Sequence, residues 1–80
     1  MSLLRGAGKQ VRKVSVGRVE EGLTLADLAP RDRFEVIVLA VKSGGERSLA
    51  PTGNQEILKG DELFVVGRRE AIDGFVEVVK

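Results

Sequence analysis

The amino-acid sequence predicts an α+β fold, in which two helices pack on a small, mainly antiparallel sheet in the order β-α-β-β-β-α. An almost unbroken apolar run at residues 34–41 is rich in β-branched side chains and predicts a strand. The turn Gly60-Asp61 precedes a second apolar run that also predicts a strand. The amphipathic spacing of a helix follows, with apolar side chains at Ile72, Phe75, Val76 and Val79.

Short local signals predict the first strand and the first helix. A β-branched stretch at residues 12–17 predicts the strand. Thr24 is a favourable N-cap, and Asp27 three residues later is typical of a capping box. Pro30 lacks an amide hydrogen and disfavours helical geometry at Ala29, so we expect the helix to end there.

Three further segments complete the predicted sheet. Residues 34–41 are apolar at nearly every position, which predicts a central strand covered on both faces. Residues 43–46 contain two glycines and predict a hairpin turn into a strand at residues 47–50, with Pro51 at its end. Residues 62–66 then form the last strand.

The final helix is predicted at residues 69–79. Gly74 within it costs about 1 kcal/mol relative to alanine, which either close packing or fraying of the helix would explain. The predicted core joins this helix to the strands and consists of Val36, Val38, Phe64, Val66, Ile72, Phe75 and Val76.

The residue inventory excludes several kinds of chemistry. The 80 residues include no cysteine and no histidine, so disulfides, thiolate nucleophiles, histidine bases and the usual zinc sites are excluded. Paired carboxylates such as Asp61 and Glu62 are neighbours on a strand and point to opposite faces. We therefore predict neither an enzyme nor a metal site.

The basic residues are concentrated at the start of the chain. Residues 1–18 carry +5, and the remainder carries eight basic against twelve acidic residues, or −4. We interpret residues 1–10 as a basic flexible tail or linker and residues 11–80 as the folded domain. An alternative interpretation is a nucleic-acid-binding protein that uses this tail. The chain has three aromatic residues, all phenylalanine, at positions typical of a core, so we do not predict nucleic acid as a partner.

No apolar run approaches the roughly 20 residues that span a bilayer. The start of the chain also lacks the apolar region of a signal peptide. We therefore expect a soluble, cytoplasmic protein without direct membrane insertion.

The order of these elements resembles the TrkA-C domain, also called the C-terminal RCK domain, of potassium-transport regulators. The resemblance covers about residues 11–79. It rests on residues 22–28, which fit the family pattern G-x-(T/S)-L-x-x-L, on Arg31-Asp32-Arg33-Phe34, on Pro51 and on the block of residues 60–67.

This resemblance implies a non-enzymatic regulatory module that forms a homodimer and senses a small ligand in or near the dimer interface. The implied partners are a membrane channel or transporter subunit or an RCK nucleotide-binding domain. The chain itself has no G-x-G-x-x-G motif after a strand and so lacks that nucleotide-binding domain. No cofactor is implied beyond a small anionic or nucleotide effector.

The predicted effector site consists of Arg31, Arg33, Leu25 and Pro51. The two guanidiniums lie two residues apart at the mouth of a predicted strand and suit a phosphate or carboxylate. Alternatively, they pair with neighbouring carboxylates such as Asp32 and only solvate the surface.

Relatives that bind cyclic di-AMP resemble this chain in part of their site. The implied apolar pair falls on Leu25 and Ala26, and the implied arginine on Arg31. Ala29 and Ile37 stand where those relatives carry an aspartate and an asparagine. An alanine and an isoleucine cannot make the polar contacts of those residues.

Overall fold

The computed structural model describes residues 8–80, which form a four-stranded antiparallel sheet with helices on one face. The strands lie in the order β1-β4-β2-β3 and are β1 (Lys9–Ser15), β2 (Ile37–Ser43), β3 (Glu46–Leu49) and β4 (Glu62–Arg68). The helices are α1 (Leu25–Leu28), α2 (Pro30–Phe34) and α3 (Arg69–Val79). The predicted α+β class is confirmed. The order of elements differs from the predicted one by an additional short helix, α2.

Strand β1 begins earlier than predicted. Lys9 pairs with Arg68, so β1 runs along the whole of β4 and includes two residues assigned to the tail. The predicted end of this strand instead lies against the end of α3, where the Gly17 amide donates to the Val79 carbonyl at 2.7 Å. A β-carbon at Gly17 would lie 2.5 Å from the Lys80 carbonyl oxygen, so this position requires glycine. The rest of the predicted tail, residues 1–7, lies outside the described residues.

The predicted start of α1 is confirmed. The Asp27 amide donates to the Thr24 hydroxyl at 3.3 Å, and the Thr24 amide donates to the Asp27 carboxylate at 3.0 Å. The helix ends at Ala29, as predicted. Pro30 then begins α2, because its fixed φ suits the first position of a helix and its missing amide hydrogen is not needed there. Phe34 therefore belongs to a helix, and its assignment to a strand was wrong.

We expect Thr24→Ala to lower the free energy of unfolding by about 1 kcal/mol, because the Asp27 amide loses its acceptor. Thr24→Ser keeps the hydroxyl and is expected to stay within about 0.5 kcal/mol of the parent chain. Urea denaturation followed by circular dichroism measures both. Equal losses in the two variants would contradict the role of the cap.

Strand β2 is covered on one face, so the prediction of cover on both faces was wrong. Val41 is buried beneath the helices, whereas Ile37 and Leu39 are 43% and 44% exposed. A bulge between Val38 and Ala40 shifts the pairing with β4. The predicted hairpin turn is confirmed and has two glycines at positive φ. Strand β3 ends at Leu49, before Ala50 leaves the extended conformation at φ 49°.

The core lies between the sheet and α3. Val36, Ile72 and Phe75 are fully buried as predicted, and Val38 and Val76 pack against them. The prediction chose the wrong face of β4: Leu63 and Val65 are fully buried, while Phe64 and Val66 point away from the helices and are half-buried. In a strand, an error of one residue moves each side chain to the opposite face.

Helix α3 continues through Gly74 without a break. A β-carbon there would lie 3.9 Å from the Phe34 ring, an ordinary contact, so close packing does not explain this glycine. None of the helices in residues 8–80 is long and apolar enough to cross a membrane.

Candidate functional site

A groove of about 490 Å³ lies where the two short helices meet the beginning of β2 and the segment after β3. Its lining is mostly apolar, with Val36 and Val38 contributed by the sheet side and Ala26 and Pro30 by the helices. Arg31 and Asp32 are the charged residues among the described lining. The groove therefore combines apolar walls with one cation and one carboxylate.

The structure brings three of the four predicted effector-binding residues together in this groove: Leu25, Arg31 and Pro51. Arg33 lines a different groove, of about 620 Å³, between α2 and α3. Its guanidinium carbon lies 5.1 Å from the centre of the Phe34 ring, within the range of a cation–π contact. Residues two apart on a helix do not face one another, so Arg31 and Arg33 do not converge on one ligand.

The Arg31 guanidinium is exposed and has no carboxylate partner among residues 8–80. The ion pairs among the described residues join Arg12 to Asp73, Lys13 to Glu62 and Lys80 to Glu77. None of these ion pairs is the Arg31–Asp32 pair of the alternative interpretation. Since no carboxylate of the described residues pairs with it, the Arg31 guanidinium is available to an anionic ligand.

Backbone hydrogen bonds fix the loop that closes the groove. The Leu25 amide donates to the Gln55 carbonyl at 2.9 Å, and the Ala26 amide donates to the Gly53 carbonyl at 3.0 Å. A β-carbon at Gly53 would come within 3.2 Å of the Ala26 β-carbon, so the loop packs closely on α1. These amides are already used, and Arg31 is left as the cationic donor of the groove.

Two alanines of this region adopt the left-handed conformation. Ala29 has φ 44° and joins the two short helices inside the groove, and Ala50 has φ 49° next to Pro51. This conformation is uncommon for residues with a β-carbon and costs of the order of 1 kcal/mol. Sequence reasoning missed both turns, because alanine gives no signal for positive φ.

Ala29 and Ile37 also line the groove. They occupy the two positions at which the cyclic di-AMP-binding relatives were expected to carry polar residues. The lining is consequently poorer in hydrogen-bonding groups than those relatives imply. The lining suits a ligand that has an apolar surface and one anionic group. It suits less well a ligand whose polar edges must be recognised by hydrogen bonds from side chains.

The carboxylate of Asp61 has a structural role. The side chain is 3% exposed and accepts a hydrogen bond from the Leu58 amide at 2.8 Å, which fixes the turn before β4. Among residues 8–80 no group of three or more acidic side chains is arranged to hold a metal ion.

Comparison with known proteins gives one family and a set of similar folds. The family model of the TrkA-C domain matches residues 17–80. No curated protein sequence matches the chain. The RCK C domain of the potassium transport protein KtrA, in complex with cyclic di-AMP, is 20% identical, with a TM-score of 0.77 over 96% of this chain and 91% of that chain.

Two other solved structures have the same fold. The RCK_C domain dimer of S. agalactiae BusR in complex with c-di-AMP is 18% identical, with a TM-score of 0.71 over 85% of this chain and 96% of that chain. The GsuK RCK domain is 17% identical, with a TM-score of 0.74 over 96% of this chain and 18% of that chain. At these identities the similarity concerns the fold.

Proposed function

The chain belongs to the TrkA-C domain family, and from this membership we propose that it is a non-enzymatic, ligand-sensing regulatory module of a potassium channel or transporter system. The module acts in the cytoplasm as a homodimer. It transmits the presence of a small anionic or nucleotide effector to a channel or transporter subunit or to an RCK nucleotide-binding domain. The KtrA and BusR structures support this class of ligand, because both contain cyclic di-AMP.

The observation that carries the proposal is the convergence of Leu25, Arg31 and Pro51 in one groove. The apolar walls accept the flat surface of a base or a similar group, and Arg31 donates hydrogen bonds to a phosphate or carboxylate. Arg31 has no competing ion pair among the described residues, so binding an anion does not require the loss of an existing contact.

The effector of this chain is expected to need fewer polar contacts than cyclic di-AMP does in its binding proteins. Ala29 and Ile37 offer no hydrogen-bonding side chain to the edge of a base. We therefore propose an effector that is held by stacking against apolar walls and by a single anionic contact. Cyclic di-AMP, NAD, AMP and inorganic phosphate form a panel that separates these contributions.

The test is isothermal titration of the chain with this panel, repeated for two matched variants. Arg31→Gln removes the proposed anion donor and should weaken the best ligand by about ten- to a hundredfold, the value of a hydrogen bond to a charged group. Arg33→Gln makes the same change two residues away, outside the groove, and should change the affinity less than about twofold.

Two results would overturn the proposal. One is the absence of heat with every member of the panel at millimolar concentration. The other is an equal loss of affinity in the Arg31 and Arg33 variants, which would indicate attraction by overall charge instead of binding in the groove.

Within residues 8–80, no contact favours the alternative of nucleic-acid binding. Arg12, one of the basic residues that suggested it, pairs with Asp73 at 2.9 Å. Phe75 is fully buried, and Phe34 and Phe64 are half-buried, so none of the three offers an open ring for base stacking.

A further inference from the structure

The face of the sheet that points away from the helices, here called the outer face, is apolar at its centre. Directly paired residues of neighbouring strands share a face, so the register identifies the outward side chains. Val11 and Leu49 are 51% and 73% exposed, and no described element covers them. The apolar residues of the outer face are Val11, Ile37, Ala40, Leu49, Phe64 and Val66. An exposed apolar surface that is rimmed by polar residues marks an interaction site.

A hollow of about 210 Å³ lies in the outer face and is lined by Ala40, Arg47, Leu49 and Phe64. It forms because Ala40 is paired with Leu49 on one side and with Phe64 on the other, so a small side chain lies between two large ones. Arg47 precedes Leu49 by two residues on the same strand and therefore points to the same face. A hollow with apolar walls and a guanidinium beside it suits a large apolar side chain that has a carboxylate next to it.

Charge is segregated between the outer face and the rest of the domain. The single carboxylate of the outer face among the described residues, Glu62, already pairs with Lys13 at 3.3 Å. The outer face carries a net charge of +4, and the other described residues together carry −4. The cations of the outer face are Lys9, Lys13, Lys42, Arg47 and Arg68. A surface with this charge attracts an acidic partner and repels a basic one.

These cations lie at both ends of the apolar centre. Lys9 and Arg68 are paired at one end of the strands, and Lys42 and Arg47 are paired at the other. A partner that covers the centre therefore needs apolar side chains in its middle and carboxylates on either side. A second copy of this chain fits the outer face poorly, because it would bring cations near cations.

The outer face has the size of a contact with a short segment. Strands about 4.8 Å apart and about 23 Å long give it an area of roughly 400 Å², half of the ~800 Å² that each partner contributes to a standard interface. One helix or one extended segment laid along the strands covers the apolar centre. A nucleic-acid backbone matches the face less well, because the apolar centre interrupts the row of cations that would follow its phosphates. A bilayer surface offers no side chain that fills the hollow at Ala40.

We propose that the outer face is a docking site for an acidic segment of another protein, in which a large apolar side chain is flanked by carboxylates. The apolar side chain fills the hollow between Leu49 and Phe64, and the carboxylates pair with Arg47 and with the cations at the other end of the strands. This inference goes beyond the proposed function, because it names the chemistry of a partner and does not use the effector groove.

The experiment is a selection of random displayed peptides against the immobilised chain. The peptides have about 12 residues, which as a helix are roughly 18 Å long. The enriched peptides are expected to carry a net negative charge and at least one large apolar residue. A synthetic copy of the most enriched peptide is then titrated with the chain by fluorescence anisotropy. Its dissociation constant should rise about fivefold or more between about 20 mM and about 300 mM KCl, over which the Debye length falls from roughly 20 Å to roughly 6 Å.

A matched pair of double variants tests the role of the cations. Lys42→Gln with Arg47→Gln removes two cations from the outer face, so the peptide should bind about fivefold more weakly and with less salt dependence. Arg69→Gln with Lys80→Gln makes the same charge change on the helix layer and should alter the affinity less than about twofold.

A second matched pair tests the hollow. Leu49→Ser removes one of its walls and should weaken the peptide about tenfold. Because Leu49 is 73% exposed, this variant should fold as the parent chain does. Val78→Ser removes an exposed apolar side chain from α3 and should alter the affinity less than about twofold.

Three results would overturn the inference. One is a selection that enriches no peptide, or enriches peptides without net negative charge. Another is an equal loss of affinity in the two double variants or in the two serine variants. The third is a chain that binds vesicles of phosphatidylcholine and phosphatidylserine through Arg47 and Leu49 but binds no acidic peptide, which would make the outer face a membrane surface. The titration of Arg31→Gln is read independently, so effector binding by the groove can fail or succeed whatever the outcome here.

Discussion

Replacing Phe75 with alanine is expected to lower the free energy of unfolding by about 3–5 kcal/mol, the largest loss we expect from a single change in this chain. The side chain is fully buried in the core between α3 and the sheet. Its ring also meets the Phe34 ring edge-on, with 5.6 Å between the ring centres, a contact that contributes beyond the buried area. Truncation to alanine removes the buried apolar surface of the ring and its contact with Phe34, and it leaves a cavity in the core.

Chemical denaturation of the parent chain and the variant measures this loss. Val78→Ala on the same helix is the control: Val78 is 43% exposed, so the change should cost less than about 0.5 kcal/mol. If the alanine variant does not fold, Phe75→Leu keeps most of the volume and should still cost more than the Val78 control. Similar losses in the free energy of unfolding at Phe75 and Val78 would mean that the face of α3 that contains Phe75 does not form part of the core.

The second large effect is expected at Leu63, where replacement with alanine should cost about 2–5 kcal/mol. Leu63 is fully buried on the inner face of β4. Phe64 is a larger side chain, but it lies on the face of the sheet that points away from the helices, so Phe64→Ala should cost less than half as much in the monomer. The smaller residue is thus expected to be the more important one for stability.

Both variants of β4 are compared by urea denaturation at a protein concentration low enough to exclude association. The ratio of the two losses reports which face of β4 is buried. A larger loss for Phe64→Ala would mean that the register of β4 is shifted by one residue, so that Phe64 and not Leu63 faces the helices.

This register is also where the sequence was least informative. Residues 63–66 are apolar at each position, so the two-residue period that separates an inner from an outer face is missing. Phe64 and Val66 are apolar although they point away from the helices, and for that reason the pattern could not identify the buried side. Elements with strong local signals, such as the Thr24 cap and the helix at residues 69–79, were predicted closely.

Only part of the candidate site could be predicted from the sequence, because the local pattern did not identify helix α2. The sequence predicts Arg31 and Arg33 at the mouth of a strand, but both lie on helix α2, where residues two apart do not face one another. Residues 30–34 carry too weak a signal to predict α2, because a proline normally ends a helix and here it begins one. Arg31 and Arg33 therefore separate into two grooves, and the left-handed Ala29 that turns the chain between the helices has no signature in its residue type.

The pairing of β1 with β4 has a consequence for how the domain forms during synthesis. Among the described strands, β1 has β4 as its one neighbour, and β4 follows it by most of the length of the chain. While the ribosome is still producing the middle of the sequence, β1 has no edge to join, and closing so long a loop is slow. We therefore expect the sheet to be completed only after Arg68 has emerged, with the nascent β1 exposed to chaperones until then.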